Sequence, residues 1–244
     1  MKMFLTALGF LTLIPYHRGL KTDRASLGRS MAAFPIVGLL LGGALVVSNA
    51  FLSQHMSERL VNIVMITALF VITGGLHIDG FMDTVDGLAG GRTKEDVLRI
   101  MRDSHVGALG VVGVCLLVLV KWEALNSMES GSKNAALFIM PVVGRWGMTL
   151  LAYTSTYARD EGLGRPFVEG LTRNGLLFAF ATALAVSVLL GGVGGVIVLA
   201  AASIMCLLWS KWFERKIGGV TGDVIGALNE ALELLVALFF AVLI

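Results

Sequence analysis

The chain is 244 residues long, with a formal net charge of +2, 56% hydrophobic and 15% charged residues, and a mean hydropathy of +0.83. That is too apolar for a water-soluble domain of this length and predicts one integral membrane domain over residues 1–244. Near-balanced charge leaves no footprint for nucleic acid, and Cys115 and Cys206 lie inside apolar runs as small hydrophobes.

The first apolar segment, residues 3–16, falls short of the roughly 20 residues needed to span hydrocarbon and predicts a re-entrant or interfacial helix. Pro15 and Gly19 break it, and residues 18–29 form a polar connection. Spanning segments follow at residues 31–52, 60–73, 106–120, 135–156, 175–190, 193–212 and 224–244, the second continuing into residues 74–76. The fold class is therefore all-α, a polytopic membrane helical bundle of about seven spans plus the short first helix. Residues 191–195 form a tight turn between two spans, while Trp122, Trp146, Trp209, Trp212 and Tyr153 suit an aromatic belt near span ends.

Cytoplasmic loops carry the excess of Lys and Arg. One set of loops holds 14 of them, including Arg92, Lys94, Arg99, Arg102, Arg159 and Arg165, while the other holds three, Arg59, Lys121 and Lys133. The first set marks the cytoplasmic side of the membrane.

On that side lies GGLHIDGFMDTVDGLAGG, residues 74–91. As a helix it places Asp79, Asp83 and Asp86 at i, i+4 and i+7, within an arc of roughly 60°. Three carboxylates on one face repel unless a cation lies between them, and hard divalent cations prefer oxygen ligands, so the pattern suggests Mg²⁺. Thr93 and Asp96 read as the start of a further helix that ends in RIMRDSHVGALG. There Asp103 adds a fourth carboxylate or serves as an interfacial charge paired with Arg99. His77 and His105 flank the carboxylates; imidazole suits Mg²⁺ poorly, leaving a general-base or substrate-contact role.

A second constellation is GGVTGDVIGALNEALE, residues 218–233. Asp223 caps the last helix, and Asp223, Gly226, Ala227, Glu230 and Glu233 run along one stripe. At 1.5 Å per residue, Glu230 and Glu233 lie about 10 and 15 Å below Asp223. A lipid-facing carboxylate there costs roughly 2.5–3.5 kcal/mol, so both face a polar interior or pair with Arg145, itself inside a span.

Carboxylates beside basic residues at a membrane surface suggest phosphoryl chemistry. DTVDG at residues 83–87 resembles the start of the CDP-alcohol phosphatidyltransferase signature, but no GxxxDxxxD follows. A transporter using Glu230, Glu233 and Arg145 is the rival from another class. The stretches TGGLHIDGFMDTVDGLAGG, RIMRDSHVGALG, GGVTGDVIGALNEALE and the N-terminal FLTLIP resemble, in order and spacing, the cobalamin synthases, also called adenosylcobinamide-GDP ribazoletransferases. That resemblance implies a polytopic enzyme of the bacterial inner membrane that joins adenosylcobinamide-GDP to α-ribazole, or its 5'-phosphate, with Mg²⁺ and releases GMP. It implies Asp79, Asp83, Asp86 and Asp103 as catalytic metal ligands, with His77 also catalytic. Arg99, Arg102, His105, Arg145, Thr221, Asp223, Glu230 and Glu233 then serve substrate binding. Membrane lipid is the remaining partner, and an oligomer is compatible with the pattern.

Overall fold

The structure is a computed structural model that describes residues 1–14 and 23–243. Among the described residues, eleven α-helices follow in chain order: α1 (Lys2–Leu11), α2 (Arg24–Ser30), α3 (Phe34–Leu52), α4 (Glu58–Ile72), α5 (Leu76–Gly90), α6 (Lys94–Ile100), α7 (Ala108–Asn126), α8 (Ser130–Thr154), α9 (Arg165–Gly170), α10 (Arg173–Ile217) and α11 (Gly222–Leu243). A 3₁₀ turn, Met31–Ala33, joins α2 to α3, and no β-strand occurs among the described residues. The all-α expectation holds. Among the described residues, five helical stretches are long and apolar enough to cross a membrane, or six when α4 and α5 count as one bent span.

α8 lies at the centre of the bundle, buried along most of its apolar length and packed against α3, α10 and α11. Around it, α7 and α10 keep long rows of exposed Leu, Val, Ile and Phe, such as Leu116, Leu119, Leu189 and Ile197. An exposed apolar surface of that extent on helices of spanning length is the face a bilayer covers.

Several boundaries differ from the sequence expectations. The segment expected to run from residue 60 through 76 stops at Ile72, because Gly74 and Gly75 take left-handed φ values of 63° and 72° and α5 leaves at 90° to α4. Only glycine adopts that pair of conformations without steric cost, so the turn is written into the two glycines. The predicted break between residues 191 and 195 is present as a kink at Gly192, with φ 54° and ψ −135°, inside the continuous stretch α10. In the polar connection, Asp23 accepts from Ser26 N–H at 2.8 Å and starts helix α2. Residues 15–22, which include Pro15, Gly19 and the start of that connection, lie outside the described residues.

α7 runs six residues past the expected end at Val120, and that extension carries Lys121 into the bundle interior. Lys121 and Lys133 are thus buried side chains, not the loop charges expected, and Lys133 pairs with Glu58. Trp146 is buried in α8 and donates from Nε1 to Ser203 Oγ at 3.0 Å, so it belongs to the core and not to an aromatic belt. Of the two cysteines, Cys206 is buried as expected and Cys115 is exposed on α7.

Candidate active site

The site begins where α5 crosses the first turn of α11. A Cβ on Gly80 would lie 2.8 Å from the Asp223 carbonyl oxygen, so the glycine is what lets the two backbones touch. This close approach sets the acidic face of α5 beside the acidic stripe of α11. Asp79 and Asp223 both line one cleft of about 240 Å³, and the charges acting on Asp83 are those of Asp79, Asp223 and Asp86, with Arg159 opposing them.

Arg159 is held over the stripe by backbone. Val220 N donates to Thr156 O at 2.8 Å and Ala158 N donates to Val220 O at 2.9 Å, tying the segment after α8 to the chain two residues before α11. Arg159 Nη2 then donates to Asp223 Oδ2 at 2.8 Å, while its Nε, also buried, has no partner. The sequence treated Arg159 only as one of several loop charges; its place beside Asp223 depends on a pairing between residues some 60 apart. Asp223 was expected to cap α11, but Thr221 does so, its Oγ1 accepting from Val224 N at 3.2 Å. Asp223 sits two residues further on, in the first turn of α11, as the partner of Arg159 and of the Thr221 hydroxyl.

Asp86 points the other way. Its Oδ2 accepts from Gly107 N at 2.8 Å and its Oδ1 from Gly110 N at 2.7 Å, so a carboxylate of α5 caps α7. Both glycines are needed, since a Cβ on either would approach an Asp86 carboxylate oxygen to 2.4 Å. An anion on the free N–H groups of a helix start satisfies donors and meets the positive end of the helix dipole.

Asp103 does not pair with Arg99. It accepts from the His105 backbone N–H at 3.0 Å and meets His105 Nδ1 at 2.6 Å, while Arg99 Nη2 donates to Asp96 Oδ1 at 3.1 Å. The His105 backbone N–H, followed by its ring, holds the Asp103 carboxyl below its ordinary value. Arg99, Arg102, Asp103 and His105 are exposed at the outer edge of this region. Thr93 caps α6 as expected, accepting from Asp96 N at 3.1 Å. Among the described residues, no three His, Cys, Asp or Glu side chains converge as a ready cage for a metal ion.

Deeper along α11 the stripe enters a buried ion network. Lys121 Nζ donates to Glu230 Oε2 at 2.9 Å and to Glu233 Oε2 at 3.0 Å, and Arg145 Nη1 donates to Glu233 Oε1. Asn229 Nδ2 adds a bond to Glu233 Oε1 at 3.1 Å. Arg145 was the expected partner; Lys121 was not, because the hydropathy of α7 fades before it. Two cations and two carboxylates balance, so the charges that suggested a transporter neutralise one another inside the bundle.

His77 lies between this network and the cleft. It is 2% exposed, both ring nitrogens lack a partner, and its nearest charges are Arg145, Glu233 and Lys121. It lines the cleft with Asp79 and Asp223, and the same cleft is lined by aromatic rings. Phe10 of α1, Phe34 of α3 and Phe167 of α9 form a cluster with ring centroids 4.4 to 6.2 Å apart. No periodicity links those three phenylalanines in the sequence, and nothing there singled them out.

A family model described as cobalamin-5-phosphate synthase matches residues 3–241. Curated relatives include the adenosylcobinamide-GDP ribazoletransferase of Geotalea daltonii, 36% identical over 96% of this chain and 95% of the relative. That of Syntrophobacter fumaroxidans is 38% identical over 95% of each chain, and that of Caldanaerobacter subterraneus 32% identical over 100% of this chain and 99% of the relative. No solved structure matches the chain.

Proposed function

The chain belongs to the cobalamin-5-phosphate synthase family, and from that premise we propose that it is an adenosylcobinamide-GDP ribazoletransferase. It transfers the cobinamide phosphate of adenosylcobinamide-GDP to α-ribazole or its 5'-phosphate and releases GMP. The observation that carries the reading is the facing of Asp79 and Asp83 on α5 with Asp223 on α11, beside a cleft and under one arginine.

The reaction needs a ribose hydroxyl to meet a phosphorus already carrying negative charge. Magnesium fits the donors present, since it takes one or two carboxylates together with waters and substrate phosphates and does not need a complete protein cage. Asp79 and Asp83 would hold it; when bound, it neutralises the pyrophosphate and stabilises departing GMP. Asp86 supports this pair indirectly, its own oxygens being engaged by Gly107 and Gly110. Arg159, with Nε unpartnered, clamps a phosphate oxygen, and Arg99, Arg102 and His105 meet the nucleotide at the exposed edge. Asp223, fixed at Oδ2 by Arg159 and Thr221, accepts the hydroxyl proton at Oδ1 as the new phosphorus–oxygen bond forms and the bond to GMP breaks. Glu230, Glu233 and Arg145 do not touch substrate in this scheme; they hold α11 in place.

The loop charges support an active site on the cytoplasmic face of a bacterial inner membrane, where the nucleotide substrate is available. The test is GMP release by the purified chain given both substrates and Mg²⁺. Chelation abolishes it and Mg²⁺ restores it, and Asp83→Asn lowers the rate at least 100-fold. A rate within a few-fold of wild type for Asp83→Asn refutes the metal role.

A further inference from the structure

The cleft is lined by two unlike sets of side chains. Asp79 and Asp223 belong to the acidic set where phosphoryl transfer is placed; Phe10, Phe34 and Phe167 form an aromatic cluster, and His77 lines the same cleft. A polar side chain that is 2% exposed and has two unpartnered nitrogens is costly to bury unless a ligand completes it. The volume, about 240 Å³, lies below the range for drug-sized ligands and is far too small for a corrinoid ring. A nucleoside base fits. The pattern of lining chemistry narrows which base: guanine, the base of the donor's leaving group, carries several edge donors and acceptors that Phe and Met side chains would leave unmatched, at a cost for each.

Resting on the transferase reading above, we propose that this cleft is the acceptor subsite. It binds the planar, largely apolar benzimidazole of the ribazole against Phe10, Phe34 and Phe167, with His77 donating to the one ring nitrogen that carries a free lone pair. The ribose then points toward Asp223, and the guanine of the donor stays outside, at the exposed edge. His77 thus becomes a substrate contact that selects the acceptor and takes no part in proton transfer.

The discriminating probe is wild-type protein with altered acceptors, because no variant then has to fold. Equilibrium dialysis of the full chain in detergent compares α-ribazole with the riboside of dimethylindole, which keeps the shape but replaces the acceptor nitrogen by CH. Expected is a 3- to 10-fold weaker affinity for the indole on wild type and equal affinities on His77→Leu. Phe167→Ala raises the acceptor KM about 5- to 100-fold, the range for loss of one base–aromatic stack, with the KM for adenosylcobinamide-GDP changed less than twofold. Equal affinities of wild type for both ribosides overturn the role of His77, and a KM rise confined to the donor overturns the subsite. Dialysis is independent of turnover: ribazole binding without GMP release would refute the transferase reading while leaving the subsite standing, and GMP release with no loss on Phe167→Ala would do the reverse.

Discussion

Glu233 bonds Lys121, Arg145 and Asn229 inside the bundle, and Glu233→Gln tests the buried network most directly. Glu233 and Arg145 are each 0% exposed and Lys121 is 1% exposed, so no water is at hand to replace a lost partner. Neutralising Glu233 leaves Lys121 and Arg145 facing Glu230 alone, one uncompensated positive charge inside the bundle. Breaking a buried pair from one side costs about 3–5 kcal/mol, or a roughly 100- to 4,000-fold larger unfolding constant. For a chain of this size that lowers the melting midpoint by about 6–20 °C, measurable by tryptophan fluorescence in a fixed detergent. Adding Arg145→Met restores neutrality, and the double variant recovers most of the loss. A shift below about 2 °C for the single variant, or a double variant that loses the sum of both singles, would refute the network as drawn.

Asp86→Ala removes both acceptors of the α7 start and costs about 2–4 kcal/mol of stability, seen in the same melting assay; Asp86→Asn retains one acceptor oxygen and loses about half as much, and equal melting of all three proteins would refute the cap. The Asp103 charge is favoured by its bonds from His105, so its contribution is present above the ordinary carboxylate range and lost as pH falls through the lowered value. In His105→Ala, the ¹³C signal of a labelled Asp103 carboxyl titrates at higher pH than in wild type, and coincident curves would count against the pairing. Orientation is read with single cysteines in a cysteine-free background: Arg99→Cys is modified by an impermeant maleimide only in inside-out vesicles, and Gln54→Cys only in right-side-out vesicles. The opposite pattern overturns the cytoplasmic assignment.

Features that depend on local periodicity were readable before any fold was known. The arc of Asp79, Asp83 and Asp86 and the stripe from Asp223 to Glu233 are both present on helices, because spacing of three and four residues alone decides which side chains share a face. What each carboxylate bonds to was not readable. Asp86 faces the start of α7, and that follows from two glycines whose backbone N–H groups are invisible in a pattern of side chains. Lys121 was missed for a related reason: average hydropathy ends a span at the first charge. No glycine or proline interrupts residues 114–126, however, and that run of helix formers was the signal that the helix continued. Arg159 and the phenylalanine cluster arise only from tertiary packing, where residues from four or more segments meet.

α7 is fastened to the site at two heights. Asp86 of α5 grips it at Gly107, and Lys121, fourteen residues on, grips Glu230 and Glu233 of α11; at 1.5 Å per residue those fastenings stand about 21 Å apart. It therefore works as a strut that keeps the two acidic helices in register. Swinging α11 away from α5 to admit substrate would break either a capped helix start or a dry ion network. Neither fastening involves the short helices α1 and α9, which carry Phe10 and Phe167, two of the three phenylalanines that line the cleft.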